Sequence, residues 1–301
     1  MRVLILMSTY NGESFLTEQI ESLINQKGVD IDILVRDDGS SDCTLQILDS
    51  YKDKLVIEKG ENVGCAESFR WLLNKSYDYI GTYDYFAFCD QDDIWLPEKL
   101  TKACGYLKEM NDNAPSMYCS NLRIVNQNLM GGKLKWNSKE EFITKGQSLV
   151  CSMATGCTMV FNRKVIEIFH QYPPRLINIH DLWIMHTCIF LGSVYYDKDS
   201  FILYRQHGKN VIGAKTSFKS NLISRFRSLK HLFSQHCNEN EAKELLQTYD
   251  ELLCESDKKL ISMVANYKSS IYARLKLMTN HDVRRKKDNL FLIARIILGV
   301  I

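Results

Sequence analysis

Over its first hundred residues the chain alternates short apolar runs with stretches of helical periodicity, a rhythm that restricts it to an α/β architecture. Residues 2–7 (RVLILM) are a continuous apolar run of strand length, the pattern of a strand buried on both faces. The run stops at Ser8, Thr9, Tyr10, Asn11 and Gly12. Beyond it Phe15, Leu16, Ile20, Leu23 and Ile24 share one helical stripe, Glu13, Glu18 and Glu21 fall away from it, and Gly28 closes the pattern. The unit recurs. Residues 31–35 read as a strand, 36–42 as a polar loop, and 44–51 as a helix that Asp42 caps. A third strand at 55–57 leads through Glu61, Asn62, Val63 and Gly64 into a helix carrying Phe69, Leu72 and Leu73, and 85–88 is a fourth strand. Pro97 suits the first turn of the next helix. Strands joined through helices require crossover connections, hence a largely parallel sheet with helices on both faces.

Ligands of such sheets bind beyond the carboxyl ends of the strands. The polar clusters at 8–13, 37–42 and 90–93 each follow a strand, so they should gather on one edge. After about residue 115 the strand-like runs shorten, at 117–120, 158–161, 194–196 and 201–204, which predicts a mixed extension of the sheet. From about residue 215 helical stripes dominate, one through Leu222, Phe226, Leu229 and Phe233 and another through Leu245, Leu246, Tyr249, Leu252 and Leu253. The expected organisation is a sheet domain over 1–213 and a helical C-terminal region over 214–301.

With 38 basic against 36 acidic side chains the charge is nearly balanced, which argues against a nucleic-acid binder. Ten cysteines, none at C-x-x-C spacing, in a long chain without an apolar export signal at its start predict reduced thiols in the cytosol. Cys89, Cys157 and Cys188 sit inside apolar runs and read as small hydrophobes.

The fourth strand ends on FCDQDDIW, where Asp90, Asp92 and Asp93 crowd into four residues. Carboxylates this close repel one another unless open solvent, a donor-rich ligand or a cation compensates. Phe88 before them and Ile94 and Trp95 after them argue for a partly enclosed position. An oxygen-rich pocket there suits Mg²⁺ or Mn²⁺, which takes one or two carboxylates and completes its shell with water and phosphate oxygens. An EF-hand is excluded because Ile94 and Trp95 stand where that loop needs polar residues or Gly. No GxGxxG follows the first strand and no GxxxxGK[ST] occurs, so phosphates would be held through metal and side chains.

The segments STYNGESF, VRDDGSSDCT, FCDQDDIW, IHDLWI and YRQHGKNVIG, in this order across about residues 1–213, resemble the family-2 nucleotide-sugar glycosyltransferases of the GT-A fold. The DQDDIW and YRQHxxNVIG spellings look most like bacterial rhamnosyltransferases of surface-polysaccharide synthesis. The resemblance implies that Thr9, Tyr10, Asn11 and Glu13 line the nucleoside pocket, that Asp37 accepts a hydrogen bond from the ring N–H of uracil or thymine, and that Asp38 supports the loop. Asp90, Gln91 and Asp92 match the DxD signature, Asp90 nearer the ribose, Asp92 nearer a metal bridging the diphosphate, and Asp93 beside the sugar or metal. Arg205 and His207 would face the diphosphate and metal, with Asn210 ordering their loop. Asp181 matches the catalytic base at a helix start, and Gly156, Cys157 and Thr158 resemble the acceptor-side segment. A plain turn at 37–40 and a helix-capping role for Asp181 are the structural alternatives.

The implied activity is inverting, Mn²⁺- or Mg²⁺-dependent transfer of a sugar, L-rhamnose from dTDP-rhamnose, to a lipid-linked saccharide on the cytoplasmic side of the membrane, for cell-surface polysaccharide such as capsule or O-antigen. A UDP-hexose donor fits the same motifs, and a non-catalytic nucleotide- or carbohydrate-binding module is the alternative from another class. In the tail, Arg284, Arg285, Lys286 and Lys287 precede an apolar stretch that Arg295 interrupts and that falls short of the roughly 20 residues a spanning helix needs. This predicts either peripheral docking on an anionic leaflet, aided by Lys219, Arg225, Arg227 and Lys230, or packing on the catalytic domain or a second subunit.

Overall fold

The computed structural model describes residues 1–136, 144–151, 154–208, 237–284 and 289–301. The chain divides into two compact units, one of Met1–Glu140, Ala154–Pro173 and Ile179–Asn210, the other of Glu141–Met153, Pro174–Asn178 and Val211–Ile301. Two short segments from earlier in the chain, 141–153 and 174–178, belong to the second unit.

The first unit opens with β1 (Arg2–Thr9), α1 (Leu16–Ile24), β2 (Asp30–Asp37), α2 (Thr44–Ser50), β3 (Leu55–Lys59), α3 (Cys65–Ser76) and β4 (Tyr85–Cys89). There follow β5 (Ile94–Trp95), α4 (Lys99–Lys108), β6 (Ser116–Asn126) and β7 (Gly131–Leu134). After α5 (Lys145–Ser148), which belongs to the second unit, come β8 (Val160–Asn162), α6 (Arg163–Gln171), α7 (His180–Leu191) and β9 (Ser193–Gln206). One sheet holds these strands in the order β3-β2-β1-β4-β8-β6-β9-β5, with β7 on β6. The pairs among β3, β2, β1 and β4 are parallel, β8 runs antiparallel to both β4 and β6, and β6 and β9 are parallel. β1 is central, and its Val3, Ile5 and Met7 on one face and Leu4 and Leu6 on the other are all buried, which is why its sequence is apolar without alternation.

Two boundaries differ from expectation for local reasons. The runs at 194–196 and 201–204 are one strand, β9, because the polar residues between them sit at a register shift against β6, between the pairs Ser120–Asp197 and Asn121–Ser200, rather than in a loop. Helix α4 begins at Lys99, so Pro97 lies in the turn ahead of it.

The second unit contains α5, α8 (Cys237–Thr248), α9 (Glu255–Ala265), α10 (Ile271–Thr279) and α11 (Asn289–Leu298). The stripe expected through Leu253 breaks at Thr248, although Tyr249 and Leu253 are still buried. The stripe from Leu222 to Phe233, and with it Lys219, Arg225, Arg227 and Lys230, lies outside the described residues. Hydrogen bonds explain why an early segment belongs here: Thr144 Oγ1 donates to Asp282 O (2.5 Å), Lys145 Nζ to Asp257 (2.6 Å), Gln147 Nε2 to Arg284 O (2.8 Å) and Asn238 Nδ2 to Leu149 O (2.9 Å). Arg295, the charge that interrupts the apolar tail, is partly buried and donates to Val300 O, Val150 O and Asn238 Oδ1. Among the described residues no helix is long and apolar enough to cross a membrane.

Candidate active site

Strand register assembles the site. Thr9 pairs with Asp37 at the carboxyl ends of β1 and β2, and Met7 with Cys89 at the end of β4, so the three polar clusters leave the sheet side by side. Thr9 Oγ1 donates to Asp37 Oδ1 (3.0 Å), which also takes the Ser40 hydroxyl (2.6 Å), while Asp37 Oδ2 accepts from Ser40 N (2.9 Å). Asp37 is thus buried as the knot of its loop. Asp38 ion-pairs with Arg36 and accepts from Val63 N (3.0 Å) and Gly64 N (2.9 Å), tying this loop to the one before α3. Asn11, held at φ 47°, accepts from Ser41 N (2.9 Å), and Glu13 Oε2 accepts from Cys43 N (3.0 Å). Tyr10 stands about half exposed beside them.

Gln91, expected at the nucleotide sugar, has its amide committed elsewhere. Its Oε1 accepts from Tyr10 N (2.8 Å) and its Nε2 donates to Tyr10 O (3.0 Å), a two-point clasp between the first and third loops. A Cβ on Gly12 would fall 2.3 Å from Gln91 Oε1, so the clasp requires glycine there.

The acids divide by depth. Asp92 is partly buried, its Oδ2 meets His207 Nε2 at 2.8 Å, and the His207 ring lies on Phe15 with centroids 4.6 Å apart. Asp93, expected beside the sugar or metal, is fully buried, with Oδ1 accepting from Arg205 N (3.0 Å). No nitrogen or oxygen donor among the described residues reaches its Oδ2. Ligand atoms of Asp90, Asp93 and Cys157 lie within 4.8 Å of one another. Burial, reinforced by Asp92 and Asp181, pushes Asp90 up to about 7 from its ordinary 3.8, and burial beside Asp92 and Asp90 takes Asp93 well above the carboxylate range. The Cys157 thiol is raised by burial and then by Asp93 and Asp90. Cys89 and Cys188 are core residues as read from the sequence, whereas Cys157 is buried against charge, which its apolar neighbours in sequence did not signal.

Arg205, expected to face a diphosphate, is 2% exposed and its donors are spent inside the protein. It ion-pairs with Glu18 of α1, donates from Nε to Asp92 O (2.9 Å) and from Nη1 to Gln127 O (2.7 Å), and lies 4.6 Å from the Phe15 ring centre. A buried guanidinium needs every donor satisfied, and here that need locks the acid loop to β9 and α1. Asn210 lies outside the described residues.

Asp181 is in the first turn of α7 and half-buried, and its Oδ2 accepts from Gly156 N (3.0 Å). A Cβ on Gly156 would come within 3.0 Å of His180 Nε2 and 3.5 Å of Asp181 Cβ, so glycine lets the 156–158 turn approach the helix start. His180 is buried, stacked on Phe69 with centroids 3.8 Å apart, and burial holds it down to about 4, hence neutral at pH 7. Beneath the acids Lys99 is fully buried with Nζ 3.3 Å over the Trp95 ring, and burial lowers it to about 7. Glu18 and Lys99 carry no signal in a single sequence that sets them apart from ordinary helix-surface and helix-start residues.

The donor set suits a divalent cation: Asp92 and His207 meet, and the neighbouring carboxyls of Asp90 and Asp93, one with an unsatisfied oxygen, are crowded enough that a positive charge would relieve them. Carboxylate oxygens with one imidazole fit Mn²⁺ or Mg²⁺.

Comparison with known proteins gives the same direction. Residues 4–169 match the family model described as Glycosyl transferase family 2. The chain is 34% identical over 228 residues, 71% of its own length and 76% of the relative's, to dTDP-rhamnosyl transferase RfbG of Shigella flexneri. Among solved structures it is similar to S. aureus TarS 1-349 in complex with UDP-GlcNAc, at a TM-score of 0.62 and 17% identity, covering 100% of this chain and 82% of that one. It is also similar to mannosyltransferase PcManGT from Pyrobaculum calidifontis in complex with GDP-Man and Mn²⁺, at a TM-score of 0.53 and 14% identity, covering 98% and 84%. At such identities the structural likeness speaks for the fold.

Proposed function

Because this chain belongs to glycosyl transferase family 2 and has the GT-A fold, we propose that it transfers L-rhamnose from dTDP-rhamnose, with inversion, to a hydroxyl of a lipid-linked saccharide. The observation that carries the reading is the convergence on one edge of the loops after β1, β2 and β4 with His207 and the start of α7. The first two loops, knotted through Thr9, Asp37 and Ser40, take the nucleoside. Asp92 and His207 would hold a divalent cation, which when bound would offset charge building on the departing diphosphate. Arg205 and Gln91 keep the acid loop in place and leave binding to their neighbours.

Asp181 takes the proton from the acceptor hydroxyl as that oxygen bonds to the anomeric carbon and the bond from that carbon to the diphosphate oxygen breaks. The nucleoside diphosphate leaves, the proton stays on Asp181, and configuration inverts in one displacement. Gly156 N fixes one carboxylate oxygen, so the orientation of the base is set before the acceptor arrives. The rhamnosyl assignment rests on the 34% relative, since the loops read base and diphosphate and do not name the sugar.

The test is turnover of dTDP-rhamnose, UDP-glucose and UDP-GlcNAc against polyprenyl-diphosphate saccharides, with Mn²⁺ and with EDTA. Metal-dependent use of dTDP-rhamnose supports the proposal, and preference for a UDP-hexose replaces the donor. Nucleotide binding with no turnover of any donor would make the chain a binding module.

A further inference from the structure

The last two helices expose apolar side chains in a segment of the chain that is basic in sequence. Residues 271–301 carry seven basic and two acidic side chains of the chain's 38 and 36, leaving 31 basic and 34 acidic for the other 270 residues. This end therefore carries a net +5 (seven basic less two acidic), against −3 for the other 270 residues taken together (31 less 34). On α10, Ile271, Tyr272 and Leu275 are 80%, 74% and 52% exposed, and on α11, Leu290, Ile297 and Leu298 are 84%, 55% and 51% exposed. Spacings of four along α10 and seven along α11 put Ile271 with Leu275, and Leu290 with Ile297, on single outward stripes. The two helices adjoin, since Arg274 Nη1 donates to Ile297 O at 3.0 Å. The opposite faces are occupied within the unit, where Leu277, Leu292, Ile296, Val300 and Ile301 are buried. One side of these helices is thus covered within the unit and the other is left uncovered.

We propose that this uncovered α10–α11 face is a docking surface for an anionic lipid bilayer, with the six apolar side chains entering the headgroup region and Arg274, Lys276 and Arg284 engaging lipid phosphates. Lys276, next to Leu275 and four residues on from Tyr272 along α10, is exposed, as is Arg284 beyond the helix end. Charge complementarity selects the occupant. A two-fold contact through this face would press Arg274, Lys276 and Arg284 against their own copies, whereas an anionic leaflet attracts each added basic residue by about 1 kcal/mol. The purpose, reaching a lipid-linked acceptor, rests on the function proposed above, but the surface and its test do not depend on transfer.

The experiment is co-sedimentation of the full chain with phosphatidylcholine vesicles containing no phosphatidylserine or about one third of it, at low and high salt. Two variants are compared with the parent, Ile271→Glu/Ile297→Glu and Lys276→Glu/Arg284→Glu, all exposed positions, with nucleotide binding and light scattering measured in parallel. The expected result is binding at least about 10-fold tighter to anionic vesicles, weakened by salt, and reduced at least about 10-fold in both variants with nucleotide binding unchanged. Equal binding to neutral vesicles, no binding, or variants that bind like the parent would overturn the proposal. So would a dimer that the Ile271→Glu/Ile297→Glu variant dissociates, which would make the face a contact between copies. Loss of nucleotide turnover with vesicle binding intact would strike the proposed function and leave this surface standing.

Discussion

Replacing Asp181 by Asn separates the proposed base from the scaffold that holds it. The Asn carbonyl oxygen can occupy the place of Oδ2 and keep the 3.0 Å bond from Gly156 N, so the 156–158 turn and the start of α7 should stay in place. Changing a charged acceptor to a neutral one costs about 1 kcal/mol, and losing a carboxylate at a helix N-terminus costs about 0.3–1 kcal/mol. Relief of Asp90, whose carboxyl is pushed up partly by Asp181, offsets some of this. Net stability should therefore stay within about 1–2 kcal/mol of the parent, a small change in Tm for a chain of this size. The proton acceptor is gone, and removing a general base costs about 10²- to 10⁴-fold, or roughly 3–5 kcal/mol in the barrier. Calorimetric titration of dTDP with Mn²⁺ and single-turnover transfer from dTDP-rhamnose read the two halves separately. We predict donor affinity within about 3-fold and transfer down at least about 100-fold. Transfer within 10-fold of the parent, or an equal loss of donor affinity, would refute the assignment and leave Asp181 as a helix-start residue bonded to Gly156.

Other outcomes follow from named contacts. His207→Ala removes the partner of Asp92 Oδ2 and should raise the Mn²⁺ concentration for half-maximal activity at least about 10-fold, while nucleotide binding in EDTA is unchanged; an unaltered metal titration would remove His207 from the cation site. Lys99 has a folded pKa depressed to about 7, against an unfolded value near 10.4, so between those pH values the unfolded chain binds more protons and stability rises with pH, by at most about 1.4 kcal/mol per unit. Lys99→Met should abolish that rise, measured by urea unfolding from pH 6.5 to 10; parallel curves for parent and variant would show the amine is not desolvated in solution.

How far the sequence spoke depends on what kind of contact was involved. The apolar run of β1 and the helical stripe after it gave the parallel half of the sheet, because burial on both faces is written directly in residue type. The same logic gathered the three polar loops at one edge, since loops after parallel strands share a side. β9 was split in the reading because Asp197, Lys198, Asp199 and Ser200 have loop composition, and only pairing with β6 keeps them in the ladder. Among the site residues, residue type did not tell depth. Asp92 and His207 meet as their types suggest, but Arg205 and Gln91 are consumed by Glu18, Gln127 O and the Tyr10 backbone, partners distant in sequence. Asp93 lies one residue from Asp92 yet is fully buried, a difference set by its bond to Arg205 N on β9. Cys157 looked like a core thiol and is one, but the wall it forms is acidic.

The most direct test of the central claim is a crystal structure of the protein soaked with Mn²⁺ and dTDP, with anomalous data collected at the manganese edge. The account predicts one strong manganese peak at Asp92 and His207, with the thymine ring against the loop of Thr9 and Asp37. A manganese peak remote from Asp92 and His207, or a nucleotide seated away from these loops, would contradict it.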